Sequence, residues 1–218
     1  MDGLRVAAAV VSAYVLGSIP AGYLWAKLLK NVDVTKVGSG RTGAGNVLRA
    51  AGAVPAALTF LSDFGKGYGA VVLARWLAPD VPAGAVLAAL CAVGGHNWSV
   101  FLRFDGGVGT MTTVGACLAL MPVAAAAGLV AGGLALLIWR YTSLGSLTLA
   151  AALMLASIVG AVEDVWPPLY VLFALGTSAM AVWELRPNIQ RIRKGTERKL
   201  GQFIRTGQVD VIPNDRKG

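Results

Sequence analysis

Polar surface is what this sequence lacks first. Only 14% of its 218 residues are charged while 56% are hydrophobic, and a soluble globule of this size needs far more polar surface to coat itself. The bilayer must supply the missing apolar solvent, in keeping with a mean hydropathy of +0.66. Alternating apolar and polar runs of the strand type are also absent. Because only helices and closed barrels satisfy their backbone groups in hydrocarbon, the long unbroken apolar runs predict an all-α polytopic membrane protein. Cysteine is scarce: Cys91 and Cys117 both sit inside apolar runs without metal-ligand spacing, as small packing residues do. No nucleophile elbow of the hydrolase type occurs. Histidine occurs once, at position 96.

What is present organises itself around chain breakers. The N-terminal apolar run is too long for a cleaved signal peptide and has no basic leader, so it reads as a retained first helix. Helices are predicted near residues 4–28, 54–78, 82–102, 109–121, 123–139, 143–161 and 166–184, with turns at Ala78-Pro79-Asp80, Met121-Pro122 and Glu163 to Pro168. Met121-Pro122 is open to a second reading, as a kink in one long helix. Seven spans divide the chain into a transmembrane domain, 1–185, and a basic tail, 186–218. Basic residues then sort to alternate connections: Lys27, Lys30, Lys36, Arg41 and Arg49, then Arg103, then Arg140, then a tail that includes Arg186, Arg191, Arg198, Arg205, Arg216 and Lys217. The positive-inside rule puts the N-terminus outside and the tail in the cytoplasm. The net charge of +8 is accounted for by these loops leaning on anionic headgroups, and no nucleic-acid partner is implied.

Two glycine-rich connections and a few polar residues inside the spans exceed what topology requires. Gly38 to Arg49 carries four glycines in eight residues, freeing the backbone to turn its N–H groups inward around an anion. Ser39, Thr42, Asn46, Arg41 and Arg49 add the donors that a phosphate takes, although a flexible surface loop would look the same. The second connection, Gly94 to Thr112, holds His96 just ahead of another glycine turn, a placement that favours function over packing. Asp63 and Lys66 are three apart and share a helix face. A structural ion pair and a phosphate ligand both fit Lys66.

Together these residues carry a resemblance. Gly17-Ser18-Ile19-Pro20-Ala21-Gly22, the Gly38 to Arg49 segment, Asp63 to Gly67, the His96 to Thr112 segment, and Arg186-Pro187-Asn188-Ile189-Gln190-Arg191 with Gly195-Thr196-Glu197 are similar, in order and spacing, to the successive motifs of the bacterial acyl-phosphate-dependent glycerol-3-phosphate acyltransferase family. The resemblance implies seven transmembrane helices in the bacterial inner membrane with a cytoplasmic-side active site. It also implies a reaction of phospholipid biosynthesis, in which a fatty acyl group passes from acyl phosphate to the 1-hydroxyl of glycerol 3-phosphate, giving lysophosphatidic acid with no metal or other cofactor. Carried over residue by residue, Ser39, Asn46, Arg49 and Asn188 would hold phosphate, and His96 would orient or deprotonate the acceptor. A donor phosphate serving as its own base is an equal alternative.

The chain departs from the family pattern inside the motifs. Arg41 and Gly45 stand where the family has Asn and Thr, Asp105 and Val108 where it has lysines, Ser99 where it has Pro, and Leu185 and Pro187 where it has His and Glu. Arg41 is expected to supply the cation that Val108 does not. A homologue with a lost or changed reaction is the alternative. A transporter of a phosphorylated solute is a third reading, opposed by the odd helix count and the absence of two similar halves.

Overall fold

The computed structural model describes residues 2–200, and the basic positions Arg205, Arg216 and Lys217 lie outside them. Among the described residues there are nine α-helices and no strand, only an isolated bridge between Ser99 and Asp105. The first predicted helix is two: α1 (Asp2–Ser18) and α2 (Ala21–Lys30). Proline explains the break. Pro20 has no N–H to donate back along the helix, and it drives Ile19 out of the helical region.

An unexpected short helix, α3 (Ala44–Ala51), begins inside the first glycine-rich segment and ends at Gly52, whose φ of 91° favours glycine. The following helix, α4 (Ala53–Leu77), matches expectation, but α5 (Pro82–Asn97) stops five residues short of it. Beyond Trp98 the chain makes a 3-10 turn at Val100–Leu102, and Arg103 and Phe104 both take left-handed φ angles as Phe104 N–H returns to Ser99 O. At Met121-Pro122 there are two helices, α6 (Thr110–Leu120) and α7 (Pro122–Trp139), because Met121 leaves the helical region and proline takes the first position of α7. Thr142–Val162 forms α8 and Tyr170–Arg193 forms α9. The last helix was expected to end at 184, ahead of Pro187. It continues because Arg186 Nε donates to Trp183 O, the carbonyl that Pro187 leaves without its helical partner.

The main packing pairs are α7 with α8, α1 with α5, and α4 with α6. In the α4–α6 pair a Cβ on Gly67 would overlap the Thr112 carbonyl and one on Gly115 the Phe64 carbonyl, so each backbone lies against the other's glycine. Small residues at a crossing are how helices associate where no hydrophobic effect drives them together. Large apolar side chains instead face outward, among them Leu4, Trp76, Leu137, Ile138, Leu155 and Val162. Asp2–Lys30, Pro122–Trp139 and Thr142–Val162 are long and apolar enough to cross a membrane.

Candidate active site

Several helix ends and both glycine-rich segments border one cavity of about 710 Å³. Its lining comes from the Ser39–Arg49 loop, the start of α4, the end of α5, the start of α6, the end of α7, the start of α8 and the end of α9. From α4 to α9 successive helices therefore meet the cavity alternately by their N-terminal and C-terminal ends.

One wall is a buried ionic cluster. Asp63 Oδ1 on α4 lies 2.9 Å from Lys66 Nζ, one turn along, and 3.3 Å from His96 Nδ1 at the end of α5. Lys66 Nζ also donates to Ile19 O at the α1–α2 break, 3.1 Å away. That fixes Lys66 behind Asp63 and outside the cavity lining, so its environment is that of a paired structural cation. On its far side the imidazole meets the second glycine turn: Gly107 N–H donates to His96 O at 3.0 Å, and a Cβ at Gly107 would overlap Nε2. Thr42 N–H joins the two glycine-rich segments through Gly106 O.

Asn46 shapes the first loop from within. Its amide nitrogen donates to the carbonyls of Val34, Val37 and Arg41 and its oxygen accepts from Ser39 N–H. At 3% exposure the side chain serves the loop's backbone, whereas the sequence had assigned it to phosphate. Arg49 is different: burial pulls its guanidinium down to about 10, helped by the nearby cations Arg198 and Arg191 and opposed by Glu197. Its Nε is buried without a partner.

Glu197 is the hub of the mouth. One carboxylate oxygen accepts from Ser143 Oγ at 2.8 Å and Asn188 Nδ2 at 2.6 Å, the other from Arg191 Nε at 2.8 Å. Arg41 reaches α9 from the loop, donating to Asn188 Oδ1 at 3.2 Å and to Glu184 O.

Ser39, Arg41, Asn46, Arg49, His96 and Asn188 thus gather around the cavity, with Val108 and Leu185 also in its wall, while Lys66 and Asp105 stand outside it. Sequence reasoning did not assign Asp63, Ser143, Arg191, Glu197 or Arg198 to the site. Asp63, Arg191 and Glu197 stand inside the motifs that carry the family resemblance, whereas Ser143 lies in an apolar run and Arg198 looks like any topology determinant of a basic tail. Chemically the cavity has two ends: cations and amides at the glycine-rich loop, and an apolar trough made by Phe60 and Leu61 of α4, Leu129 and Leu136 of α7, and Leu149 of α8. Such a shape holds an anion at one end and a hydrocarbon at the other.

Comparison with known proteins places similar sequences beside this geometry. A family model described as glycerol-3-phosphate acyltransferase matches residues 7–195. A glycerol-3-phosphate acyltransferase of Halalkalibacterium halodurans is 40% identical, covering 88% of this chain and 94% of its own. Glycerol-3-phosphate acyltransferase 2 of Moorella thermoacetica is 41% identical over 89% of this chain and 97% of its own. Among solved structures, PlsY, an integral membrane glycerol 3-phosphate acyltransferase, superposes in its glycerol 3-phosphate form with a TM-score of 0.84 at 33% identity, covering 93% of this chain and 99% of that one. Its lysophosphatidic acid form gives 0.80 at 34% identity, covering 90% and 95%.

Proposed function

The chain belongs to the glycerol-3-phosphate acyltransferase family, an enzyme family with integral membrane members, and from that premise we propose that it transfers a fatty acyl group from acyl phosphate to the 1-hydroxyl of glycerol 3-phosphate. The observation that supports this most is the two-ended cavity, in which Arg49, Asn188 and the glycine-rich loop adjoin an apolar trough. Both substrates carry phosphate, and the donor and product carry an acyl tail, so one cavity accommodates both kinds of group. Acyl phosphate is already activated. The protein's task is positioning, charge stabilisation and a destination for one proton.

In the step itself the 1-hydroxyl oxygen bonds to the acyl carbonyl carbon, the carbon–oxygen bond to phosphate breaks, and its electron pair leaves with inorganic phosphate. The hydroxyl proton passes to His96 or to the departing phosphate. Asp63 beside Nδ1 leaves Nε2 as the acceptor on the ring. Ser39, Arg49 and Asn188 are the phosphate contacts, Arg41 bonds to Asn188 beside them, and Asn46 supports them by holding the loop.

The same reading extends to topology. Counting α1 with α2 as one crossing and each of α4 to α9 as one gives seven, with the cavity at the cytoplasmic face of the bacterial inner membrane, the N-terminus outside and the C-terminus inside. At 11 residues, α6 is about 16 Å long and reaches only partway through a bilayer of about 30 Å. Residues 1–185 form the membrane domain, and the basic tail begins inside α9.

The test is an assay of the purified protein in lipid with acyl phosphate and glycerol 3-phosphate, following lysophosphatidic acid and phosphate release together. Equal amounts of both products support the reading. Phosphate without lysophosphatidic acid, or neither product, assigns the chain another reaction.

A further inference from the structure

We propose that Arg41 and Glu184 form a latch between the glycine-rich loop and α9 that fixes which way the Asn188 amide faces, making both of them positioning residues for the substrate phosphate. The inference rests on the acyltransferase reading in taking glycerol 3-phosphate as the ligand. It starts from Pro187. Without an N–H at that position the turn of α9 is loosened, and Arg186 takes the orphaned Trp183 carbonyl. Glu184 is the next residue along. Its carbonyl accepts from Arg41 Nη2, and its carboxylate Oε2 lies 3.9 Å from the same nitrogen. Side-chain exposures of 10% for Arg41 and 12% for Glu184 keep this pair out of the bulk water that makes surface pairs weak.

The second guanidinium nitrogen, Nη1, donates to Asn188 Oδ1 at 3.2 Å, while Asn188 Nδ2 donates to Glu197 Oε1 at 2.6 Å. A guanidinium has only donors and a carboxylate only acceptors. Flipping the amide would set its NH₂ against the guanidinium and its oxygen against the carboxylate, so one orientation survives. In that orientation one N–H goes to Glu197 and the second has a fixed direction at the cavity wall, where it serves a phosphate oxygen. Losing the arginine removes one of the two restraints on the amide and leaves Glu197 alone to hold it, so the second N–H is less firmly aimed at the phosphate.

Glycerol 3-phosphate binding and steady-state turnover of the full chain in lipid nanodiscs test the latch. Arg41→Gln is expected to raise the dissociation constant and KM for glycerol 3-phosphate by about 10- to 100-fold, the range for losing a charge-assisted hydrogen bond, with a smaller change in kcat. Glu184→Gln moves both in the same direction and less far. The distinguishing measurement is a cycle with Asn188→Ala: acting through the amide, Arg41→Gln adds under about threefold in that background. An equal loss in both backgrounds means Arg41 touches phosphate itself and overturns the proposal, as does no loss in either. If Arg41→Gln does not fold, Arg41→Lys, which offers one point donor in place of a fork, must show the same coupling to Asn188 or the proposal fails. Wild-type protein that binds glycerol 3-phosphate without turning over refutes the acyltransferase reading alone, and the binding cycle then decides the latch. Wild-type protein that does neither refutes both.

Discussion

Gly107→Ala is a one-carbon probe of the imidazole. The added Cβ would overlap His96 Nε2, and because atoms in contact sit about 3.5 Å apart the ring must retreat by on the order of 1 Å. It has nowhere to go. Asp63 and Lys66 close the opposite side, with Asp63 Oδ1 already 3.3 Å from Nδ1, and Gly107 N–H is tied to the His96 carbonyl. Tilting the ring breaks the close charge contact with Asp63, at a cost of about 1.5–3 kcal/mol if it is taken at the scale of an interaction with a charged group. A 1 Å misplacement at a reacting centre costs on the order of 100-fold by a separate line of reasoning. Both point to a fall in kcat of about 100-fold, with KM for glycerol 3-phosphate nearly unchanged because the phosphate contacts lie on other elements. Lysophosphatidic acid formation in nanodiscs reads the effect. Gly65→Ala is the control, since a Cβ there meets nothing within 4 Å and helix propensity favours alanine by about 1 kcal/mol. Against an inactive His96→Ala background the Gly107 substitution should do nothing more. Wild-type kcat in Gly107→Ala would refute a role for the imidazole's position.

Arg49→Ala should weaken glycerol 3-phosphate binding by about 1.5–3 kcal/mol, and titration calorimetry that finds no change would return Arg49 to a headgroup anchor. Since burial holds that guanidinium at about 10 and only its cationic form attracts phosphate, wild-type affinity should fall as pH rises through 10, and the Arg49→Lys protein should have a different midpoint. Asn46→Asp should lower thermal stability as much as Asn46→Ala, because a carboxylate cannot donate to the three carbonyls that the amide serves; an unperturbed melting temperature would contradict the loop role. A reporter fused after Gly218 should be cytoplasmic and one fused before Met1 external, and finding both on one side would overturn the odd span count.

How much of this was legible in the sequence depended on the range of the interaction. Helix existence followed from apolar runs, and the Met121 break from a proline at the first position of α7. Pro20 was missed as a break because it stands inside an apolar run, where the sequence gives no polar punctuation. The Ala44–Ala51 helix was hidden by the glycines around it, which score against helix although its Asn46 and Val47 are buried. Asp63 was read with Lys66 because they are three apart. Its partner His96 lies on a different helix, and only the packing of α4 with α5 brings them together. Glu197 stood in the last motif of the resemblance, but its bonds were illegible for the same reason: Ser143 and Asn188 come from separate helices.

The departures from the family pattern acquire a physical relation once they are placed. Arg41 and Pro187 meet, since the arginine bonds to α9 in the turn that the proline loosens. Val108 and Leu185 both line the cavity, and Asp105 lies outside it, bridged to Ser99. Two accounts of Arg41 now make opposite predictions. If it simply replaces the cation missing at Val108, then Val108→Lys should restore turnover to an Arg41→Ala protein, because either loop can present charge to the transferring centre. If Arg41 works as a latch, a lysine on the second glycine turn supplies charge without orienting Asn188, and glycerol 3-phosphate affinity stays low even where kcat recovers. The bonds from Arg41 to Asn188 and to Glu184 favour the second outcome, because a guanidinium drawn toward α9 faces a carboxylate that offsets much of its charge.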